Sequence, residues 1–359
     1  MITKKITAVL IIAVLAMGGA AAAVMMNDEG GEGDRSFTIT DSAGQTFSFD
    51  GPVSKVAVSN STAAAMIEIL GQEDKIAAID DESKNIAGGD YADVENIGKY
   101  TAPSGDIILG SGASVLICKS GSRTLSNEAE LTNMGIKVIR LDCFGDTMIS
   151  DMEQLVKLLG GNAEERANLF LEFYEPIIKQ IKGIDTDSSD DESFLFMFTS
   201  MKKPYSISSE LGRITESITG VNALRAMNDN STGASSSIAQ ETIFDYDHDV
   251  GIDRIILRSA ARDVGVTKAY TTFIGIDDGT YYANLGAVSR GDVYIIDTEV
   301  LSGPLDFIGY ICIAKAMGLI TDLDPDALLE EFNGIFGFEI PARDYLYRAY
   351  GSDNIVPIV

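Results

Sequence analysis

Apolar and polar positions alternate in short, punctuated blocks between residues 38 and 117. The first block, ITDSAGQTFSFDG, carries two alternating segments around residues 42–44 and predicts a two-stranded hairpin. The apolar strand KVAVS follows, and its polar exit Asn60-Ser61-Thr62 leads into a helix that ends at Gly71. Two further strands, KIAAID and SVLICK, enclose a helix start at APSGDIIL. This order of strand, polar loop and helix predicts a parallel sheet that displays its loops along one edge.

Helical periodicity replaces the strand pattern after residue 144. The segment DTMISDMEQLVKLLGG ends at two glycines, and AEERANLFLEFYEPIIKQIKG keeps helical spacing for about five turns, with Pro176 expected to interrupt it. A polar break, IDTDSSDDES, precedes a second block. Its strands FLFMFTS, DRIILRS and GDVYIID alternate with the helical segments ELGRITESITG, IAQETIFDYDH, GPLDFIGYICIAKAMG and DPDALLEEFNGIFG. The repetition predicts a second lobe with its own parallel sheet.

The N-terminal segment has the composition of a leader. Lys4 and Lys5 precede 21 uncharged residues, 6–26, where about 20 apolar residues span a bilayer. Either a signal peptide cleaved near the alanines at 20–23 or a retained membrane anchor fits this pattern. The sequence therefore divides into a leader or anchor (1–26), an acidic Gly-rich tether (27–36), an N-terminal lobe (37–147), linking helices (148–183) and a C-terminal lobe (184–359).

Charge and residue usage exclude several classes of function. The formal net charge of −27 disfavours binding to nucleic acid or to anionic membranes, so we expect membrane contact only through the N-terminal segment. The single histidine, His248, cannot supply a serine triad or a histidine zinc site, and we expect it on the surface at a helix end. No phosphate-binding glycine loop is present. The sequence predicts neither an enzyme nor a bound cofactor.

The cysteines and the acidic clusters are expected to be structural. Cys118, Cys143 and Cys312 lie in apolar segments and are expected to be buried free thiols, with a Cys118–Cys143 bridge as the alternative. The alternating aspartates 245–253 lack the glycine and glutamate of an EF-hand calcium loop. The aspartates at 322–326 are better explained by Asp324 as a helix N-cap followed by a proline. We expect no metal site.

The order of these segments resembles the substrate-binding proteins of ABC importers that deliver ferric-siderophores, cobalamin and haem. The resemblance covers residues 38–335. It implies an α/β fold with two Rossmann-like lobes, each with a parallel sheet, a single long backbone helix that joins them, and a ligand cleft between the lobes. It also implies a monomer outside the cytoplasm that closes only slightly on its ligand and delivers it to an ABC permease with its ATPase.

Polar and basic residues on the loops at the sheet edges are the candidate ligand contacts. They are Asn60, Ser61, Tyr100, Lys119 and Arg123 in the first lobe, and Lys202, Lys203, Tyr205, Arg258 and Arg262 in the second. The six basic residues predict an anionic metal chelate as ligand, because a concave site focuses their field. The tyrosines could stack on a flat ligand, ligate iron or pack against their loops. A ferric-siderophore is favoured over cobalamin because the chain lacks tryptophan, and haem stays open.

Two acidic residues match positions through which the resembled family docks on its permease. They are Asp106, in SGDIIL, and Glu241, in IAQETIF, and each lies near a helix start, where a carboxylate is also favoured by the helix dipole. Two glycosylation sequons begin at Asn60 and Asn230, and we expect only Asn230 to be usable. Outside transport, the alternatives are an anchored surface sensor of the same fold and an enzyme on the same scaffold.

Overall fold

The computed structural model describes residues 36–86, 91, 93–120, 125–184, 192–199, 202–218, 220–259, 265–275, 282–319 and 322–358. The predicted leader and most of the predicted tether lie outside this set, so their fate stays a prediction. Within it, no helix combines the length and the apolar composition needed to cross a bilayer. Residues 37–359 form one compact unit.

The predicted hairpin is confirmed. Strands β1 (Phe37–Thr40) and β2 (Thr46–Phe49) pair antiparallel, with Thr40 opposite Thr46. The turn holds because Gly44 takes a φ of 80° and the Asp41 carboxylate accepts hydrogen bonds from the Ala43 and Gln45 amides at 3.0 and 2.8 Å.

The N-terminal lobe contains the parallel sheet that the sequence predicts. Its strands are β3 (Val56–Ser59), β4 (Ile76–Ile79), β5 (Glu95–Asn96), β6 (Val115–Cys118) and β7 (Lys137–Arg140), and their spatial order is β5-β4-β3-β6-β7. All four pairings are parallel. The described residues of this lobe include four helices: α1 (Ser61–Ile69), α2 (Asp81–Ile86), α3 (Gly105–Gly110) and α4 (Glu128–Asn133).

Two helices lead from the first lobe to the second. They are α5 (Met148–Leu159) and α6 (Ala163–Lys182). The prediction that Pro176 interrupts the second helix is wrong, because α6 continues through it for 20 residues. Pro176 and Glu172, whose carbonyl loses its amide partner, are both exposed, so water can hydrate the freed carbonyl.

The C-terminal lobe has a mixed sheet rather than the purely parallel sheet predicted from the sequence. Its strands are β8 (Ser193–Phe198), β9 (Lys203–Pro204), β10 (Val221–Asn222), β11 (Arg254–Ser259), β12 (Val293–Asp297), β13 (Leu346–Ala349) and β14 (Ile355–Pro357). The order is β10-β8-β11-β12-β13-β14, with β9 beside β8. Strands β10, β8, β11 and β12 are parallel, whereas β9, β13 and β14 pair antiparallel.

Seven helices accompany this sheet in the part of the chain that the structure describes: α7 (Glu210–Ile218), α8 (Ala223–Ala226), α9 (Gln240–Asp249), α10 (Val266–Ile274), α11 (Gly286–Arg290), α12 (Asp306–Ala316) and α13 (Pro325–Phe336). Asp324 caps α13, as predicted, by accepting from the Asp326 amide at 3.1 Å. His248 lies exposed in the last turn of α9, which also confirms the sequence prediction.

The cysteines and the acidic segment that the sequence analysis considered both have structural roles. All three cysteines are free and buried, so the predicted thiols are confirmed and the Cys118–Cys143 bridge is not formed. In the acidic segment 245–253, Asp247 accepts from the Ile252 amide at 3.0 Å and Asp253 from the Ser193 amide at 2.7 Å. These two carboxylates therefore bind the chain's own backbone.

Helix α6 packs against both lobes with one apolar face. Phe170, Phe173, Tyr174, Ile177 and Ile181 are buried in a cluster that also contains residues of both sheets. Phe173 meets Phe307 of α12 edge-on at 5.2 Å between ring centroids, and Phe170 meets Phe336 of α13 at 6.1 Å. The lobes therefore share one hydrophobic core through this helix.

Arg166 of α6 binds the ends of two helices, one from each lobe. Its Nε donates to the Ile69 carbonyl of α1 at 2.9 Å. Its Nη1 and Nη2 donate to the Ile335 and Phe336 carbonyls of α13 at 3.2 and 3.1 Å. The last carbonyls of a helix lack intrahelical partners and carry partial negative charge, so one cation stabilises both helix ends.

We expect Arg166→Ala to lower the free energy of unfolding by about 2–4 kcal/mol, because three charged hydrogen bonds are lost together. Chemical denaturation followed by circular dichroism measures the loss. Arg225→Ala is the control, since its exposed pair with Glu216 is worth less than about 1 kcal/mol. Equal losses in the two variants would show that Arg166 does not join the lobes.

Asp306 is a buried carboxyl at the start of α12. Among the described residues, neither of its oxygens has a hydrogen-bond partner of standard geometry. Burial raises the pKa of Asp306 from 3.8 to about 7, although Tyr174 and Lys182 of α6 favour the charged form. Glu210 of α7 disfavours the charged form as well. The folded protein therefore holds a proton at Asp306 that the unfolded chain releases near pH 4.

Between pH 4 and pH 7 the unfolded state binds fewer protons at Asp306 than the folded state, so stability should fall as the pH rises through this window. The loss should reach up to about 4 kcal/mol above pH 7. Urea unfolding of wild type and Asp306→Asn from pH 4 to pH 8 tests this, because all other groups titrate alike in both. Parallel stability curves for the two proteins would contradict it.

Candidate functional site

The order of strands places a topological switch point in each sheet. In the N-terminal lobe the chain moves from β3 to β4 on one side and to β6 and β7 on the other, so the sheet reverses between β3 and β6. In the C-terminal lobe the corresponding reversal lies between β8 and β11. Ligands of open α/β sheets bind outside the carboxyl ends of the strands at such points. The loops after these four strands therefore define the candidate site.

Asn60 follows β3 and is used by the fold itself. Its side chain is 1% exposed, caps the Thr62 amide at 3.2 Å and donates to the Leu141 carbonyl at 2.7 Å. Such an amide has no room for a glycan, whereas Asn230 is exposed, so only the second sequon is accessible. Ser61 is half-buried in the first turn of α1. The ligand contacts predicted for Asn60 and Ser61 stay predictions, but the structure gives Asn60 a capping role.

The loop after β6 carries Lys119 and is anchored by Asp142. The Asp142 carboxylate accepts from the Ser120 amide at 2.7 Å and from the Ser120 hydroxyl. Asp151 in turn accepts from the amide of Cys143 at 2.9 Å, and Cys143 has a left-handed φ of 49°. These contacts fix the backbone beside Lys119, which is half-buried.

The other predicted residues of the first lobe are less closely associated with the switch point. Tyr100 is half-buried in a turn that follows β5, the far strand of the sheet. Arg123 lies outside the described residues.

Arg258 lies near the end of β11, at the switch point of the second lobe. Its Nη1 donates to the Tyr205 hydroxyl at 2.9 Å, and its Nε donates to the Thr298 hydroxyl at 2.8 Å. Its carbonyl accepts from the Thr199 hydroxyl, which follows β8. The structure therefore brings together Arg258 and Tyr205, two of the predicted site residues.

The remaining basic residues of this lobe lie on the β8–β9 connection or outside the described chain. Lys202 has a φ of 49°, and its carbonyl accepts from the Tyr282 hydroxyl at 3.1 Å. Lys203 is exposed in β9, opposite Phe198. Arg262 lies outside the described residues.

The surroundings of Arg258 differ from those of the other arginines. The structure describes nine arginines, and seven of them have a carboxylate within 4 Å: Arg140, Arg213, Arg225, Arg254, Arg290, Arg343 and Arg348. Arg166 binds helix carbonyls. Among the described residues, Arg258 alone is half-buried with only neutral hydroxyls as side-chain partners. A buried cation without a counter-ion is costly, so this site has a reason to attract an anion.

Strands on both sides of the site end in buried serines. Ser59 ends β3 and Ser259 ends β11, and neither hydroxyl has a hydrogen-bond partner among the described residues. Unpartnered buried hydroxyls are available to water or to a ligand. Sequence reasoning missed both, although each of the predicted strands KVAVS and DRIILRS ends in serine.

The lobes touch on both sides of the loop that carries Asp142. A side chain at Gly303, which has a φ of 74°, would lie 3.1 Å from Cγ2 of Thr62 at the start of α1. The Asp146 amide donates to Oε1 of Glu210 in α7 at 2.6 Å, and a side chain at Gly145 would overlap that carboxylate. Both glycines have a left-handed φ and pack against the other lobe, so a larger residue at either position would strain these contacts beside the site.

The two predicted docking residues lie on separate lobes. Asp106 is exposed in the first turn of α3, beside the exposed side chains of Ile107 and Leu109. Glu241 is exposed in the first turn of α9. Both positions suit a protein contact and a favourable helix dipole equally well.

Comparison with known proteins identifies the fold. No protein-family model and no curated protein sequence matches the chain. A periplasmic haem-binding protein of Pseudomonas aeruginosa is similar in structure, with a TM-score of 0.56 and 13% identity over 82% of this chain and 98% of that one. A periplasmic vitamin B12-binding protein of Vibrio cholerae has a TM-score of 0.57 and 13% identity, over 74% and 97%.

An ABC-type Fe³⁺-hydroxamate transport protein of Saccharomonospora viridis has a TM-score of 0.56 and 16% identity, over 79% of this chain and 99% of that one. The chain therefore has the two-lobed α/β fold of periplasmic binding proteins, as the order of its segments predicts. These neighbours are binding proteins rather than enzymes.

Proposed function

We propose that this chain is the extracytoplasmic substrate-binding protein of an ABC importer, that it captures an anionic iron complex, foremost a ferric-siderophore, and that it delivers the complex to a membrane permease. The observation that carries the proposal is Arg258, a half-buried guanidinium at a sheet switch point whose side-chain partners are hydroxyls. The chain shares its fold with a periplasmic haem-binding protein, a periplasmic vitamin B12-binding protein and a protein of an ABC-type Fe³⁺-hydroxamate transport system.

Electrostatics favours an anion at this position. Most other described arginines have carboxylate partners, and the body as a whole carries a large negative charge. A positive group that is kept unpaired in such a protein gives a local field that a ligand carboxylate or catecholate can satisfy. Lys119, across the site on the first lobe, adds to this field in the proposal.

Haem is the second candidate ligand. Its propionates are carboxylates, which suit an arginine as well as a catecholate does. Cobalamin has less support, because the chain has no tryptophan and the flanking tyrosine, Tyr205, is buried.

Ligand-induced stabilisation tests the function directly. A ligand that binds only the folded protein raises the midpoint of thermal unfolding. We expect a ferric tricatecholate or haem to raise it, and iron-free forms of the same chelators to raise it less. A chain that responds to none of the ferric-siderophores, haem or cobalamin would refute the proposed function.

Replacing Arg258 and Lys119 together with alanine should weaken binding of the anionic complex by about 2–4 kcal/mol, since two charged hydrogen bonds are removed. Titration calorimetry measures the change. Arg225→Ala is the matched control, because Arg225 is exposed and already paired with Glu216. Unchanged affinity in the double variant would sink the assignment of these residues.

We also propose that Asp106 and Glu241 dock the protein on its permease, one from each lobe. Reversal of both to lysine should leave ligand affinity intact and abolish ligand-stimulated ATP hydrolysis by the reconstituted transporter. Glu130→Lys with Asp326→Lys is the control, because it makes the same charge change at exposed first-turn positions, again one in each lobe. Stimulation that survives in the first double variant, or vanishes equally in both, would count against docking.

A further inference from the structure

Tyr205 is enclosed by the fold rather than presented to a ligand. Its ring stacks on Phe198 with 3.5 Å between centroids and meets Phe196 edge-on at 5.3 Å. The residue is 4% exposed, and its hydroxyl accepts from Arg258. These contacts occupy the groups that a stacking platform or an iron ligand would need to expose.

The protonation of Tyr205 fits the same conclusion. Burial raises the pKa of the Tyr205 phenol, and the neighbouring Arg258 only partly opposes the rise. The phenol therefore stays neutral near pH 7, so a phenolate bond to iron is disfavoured. A neutral hydroxyl can still accept the hydrogen bond from the guanidinium.

Two of the N–H donors of Arg258 are engaged in hydrogen bonds within the protein. A guanidinium has five N–H groups, and here Nε–H points to Thr298 and one Nη1–H points to Tyr205. The other three donors, one on Nη1 and two on Nη2, have no partner among the described residues. Both fixed donors bind neutral oxygens, so the positive charge is held in place without being neutralised.

We propose that Tyr205 and Thr298 are positioning residues that fix Arg258 as the specificity-determining anchor for an anionic oxygen of the ligand, a carboxylate or a deprotonated catechol. This inference rests on the proposed function and assigns its ligand selectivity to three residues. Holding the side chain in advance saves the rotamer entropy that a free arginine loses on binding. This gain in affinity applies only to ligands that bind the guanidinium of Arg258.

The test compares probes that differ in charge. Calorimetric titrations use a trianionic ferric tricatecholate, haem, and an uncharged ferric trihydroxamate, against wild type, Tyr205→Phe, Thr298→Val and Thr298→Ser. Tyr345→Phe is the control, because Tyr345 is also a buried tyrosine of this lobe whose hydroxyl binds a carbonyl, that of Pro341.

We expect Tyr205→Phe and Thr298→Val each to weaken an anionic probe by about three- to tenfold, the range of one hydrogen bond. Thr298→Ser should restore near-wild-type affinity because it keeps the hydroxyl. The uncharged probe should change less than about twofold in every variant, since it does not engage the cation.

Equal losses for charged and uncharged probes would mean that the two residues only support the fold, and the inference would fall. Unchanged affinity of the anionic probes in both variants would overturn it too. A wild-type chain that binds the uncharged probe but no anionic one would leave the role as a substrate-binding protein standing, but it would refute both the anionic ligand and the anchor. A chain that binds no probe would refute the function and the anchor together.

Discussion

Burial of one face of α6 against both lobes is the interaction on which the arrangement of the molecule depends. The aromatic side chains of that face each remove a large apolar area from water, and burying one stabilises the fold by about 1.5–3 kcal/mol. Arg166 also fixes where α1 and α13 end relative to α6, because its guanidinium can bind the last carbonyls of both helices only when both end beside α6. The distance between the two switch points follows from this shared support.

The same close packing places polar groups where water cannot reach them. Asp306 is buried between α6, α7 and α12, and its charge is disfavoured because no hydrogen bond of standard geometry reaches it among the described residues. Glu210, whose charge disfavours ionisation of Asp306, also approaches the loop at Gly145 so closely that a side chain there would overlap its carboxylate unless Glu210 moved. The close packing of the two lobes thus also buries the Asp306 carboxyl.

The hydrogen-bond partners of Arg258 determine whether its charge is available to a ligand. An arginine beside a carboxylate is already satisfied, as Arg254 is by Glu192, and offers little to a ligand. Arg258 instead donates to two hydroxyl groups, which orient the guanidinium without neutralising its charge. In a chain with twice as many acidic as basic residues, 54 against 27, that exception is what makes the site suitable for an anion.

Local patterns determined much of the fold. The hairpin at Gly44, the strand segments β3, β4 and β6 and the Asp324 cap all follow from residues adjacent in sequence, because turns, caps and periodicity are short-range effects. The antiparallel strand β13 escaped prediction, since its pairing with β12 depends on residues some 50 positions away. The sequence placed Arg258 and Tyr205 on loops, whereas Arg258 lies in β11, and it left open whether the tyrosine meets a ligand or packs against its loop. Only the tertiary structure brought them together with Thr298 across separations of 53 and 40 residues, because long-range packing alone decides which side chains meet.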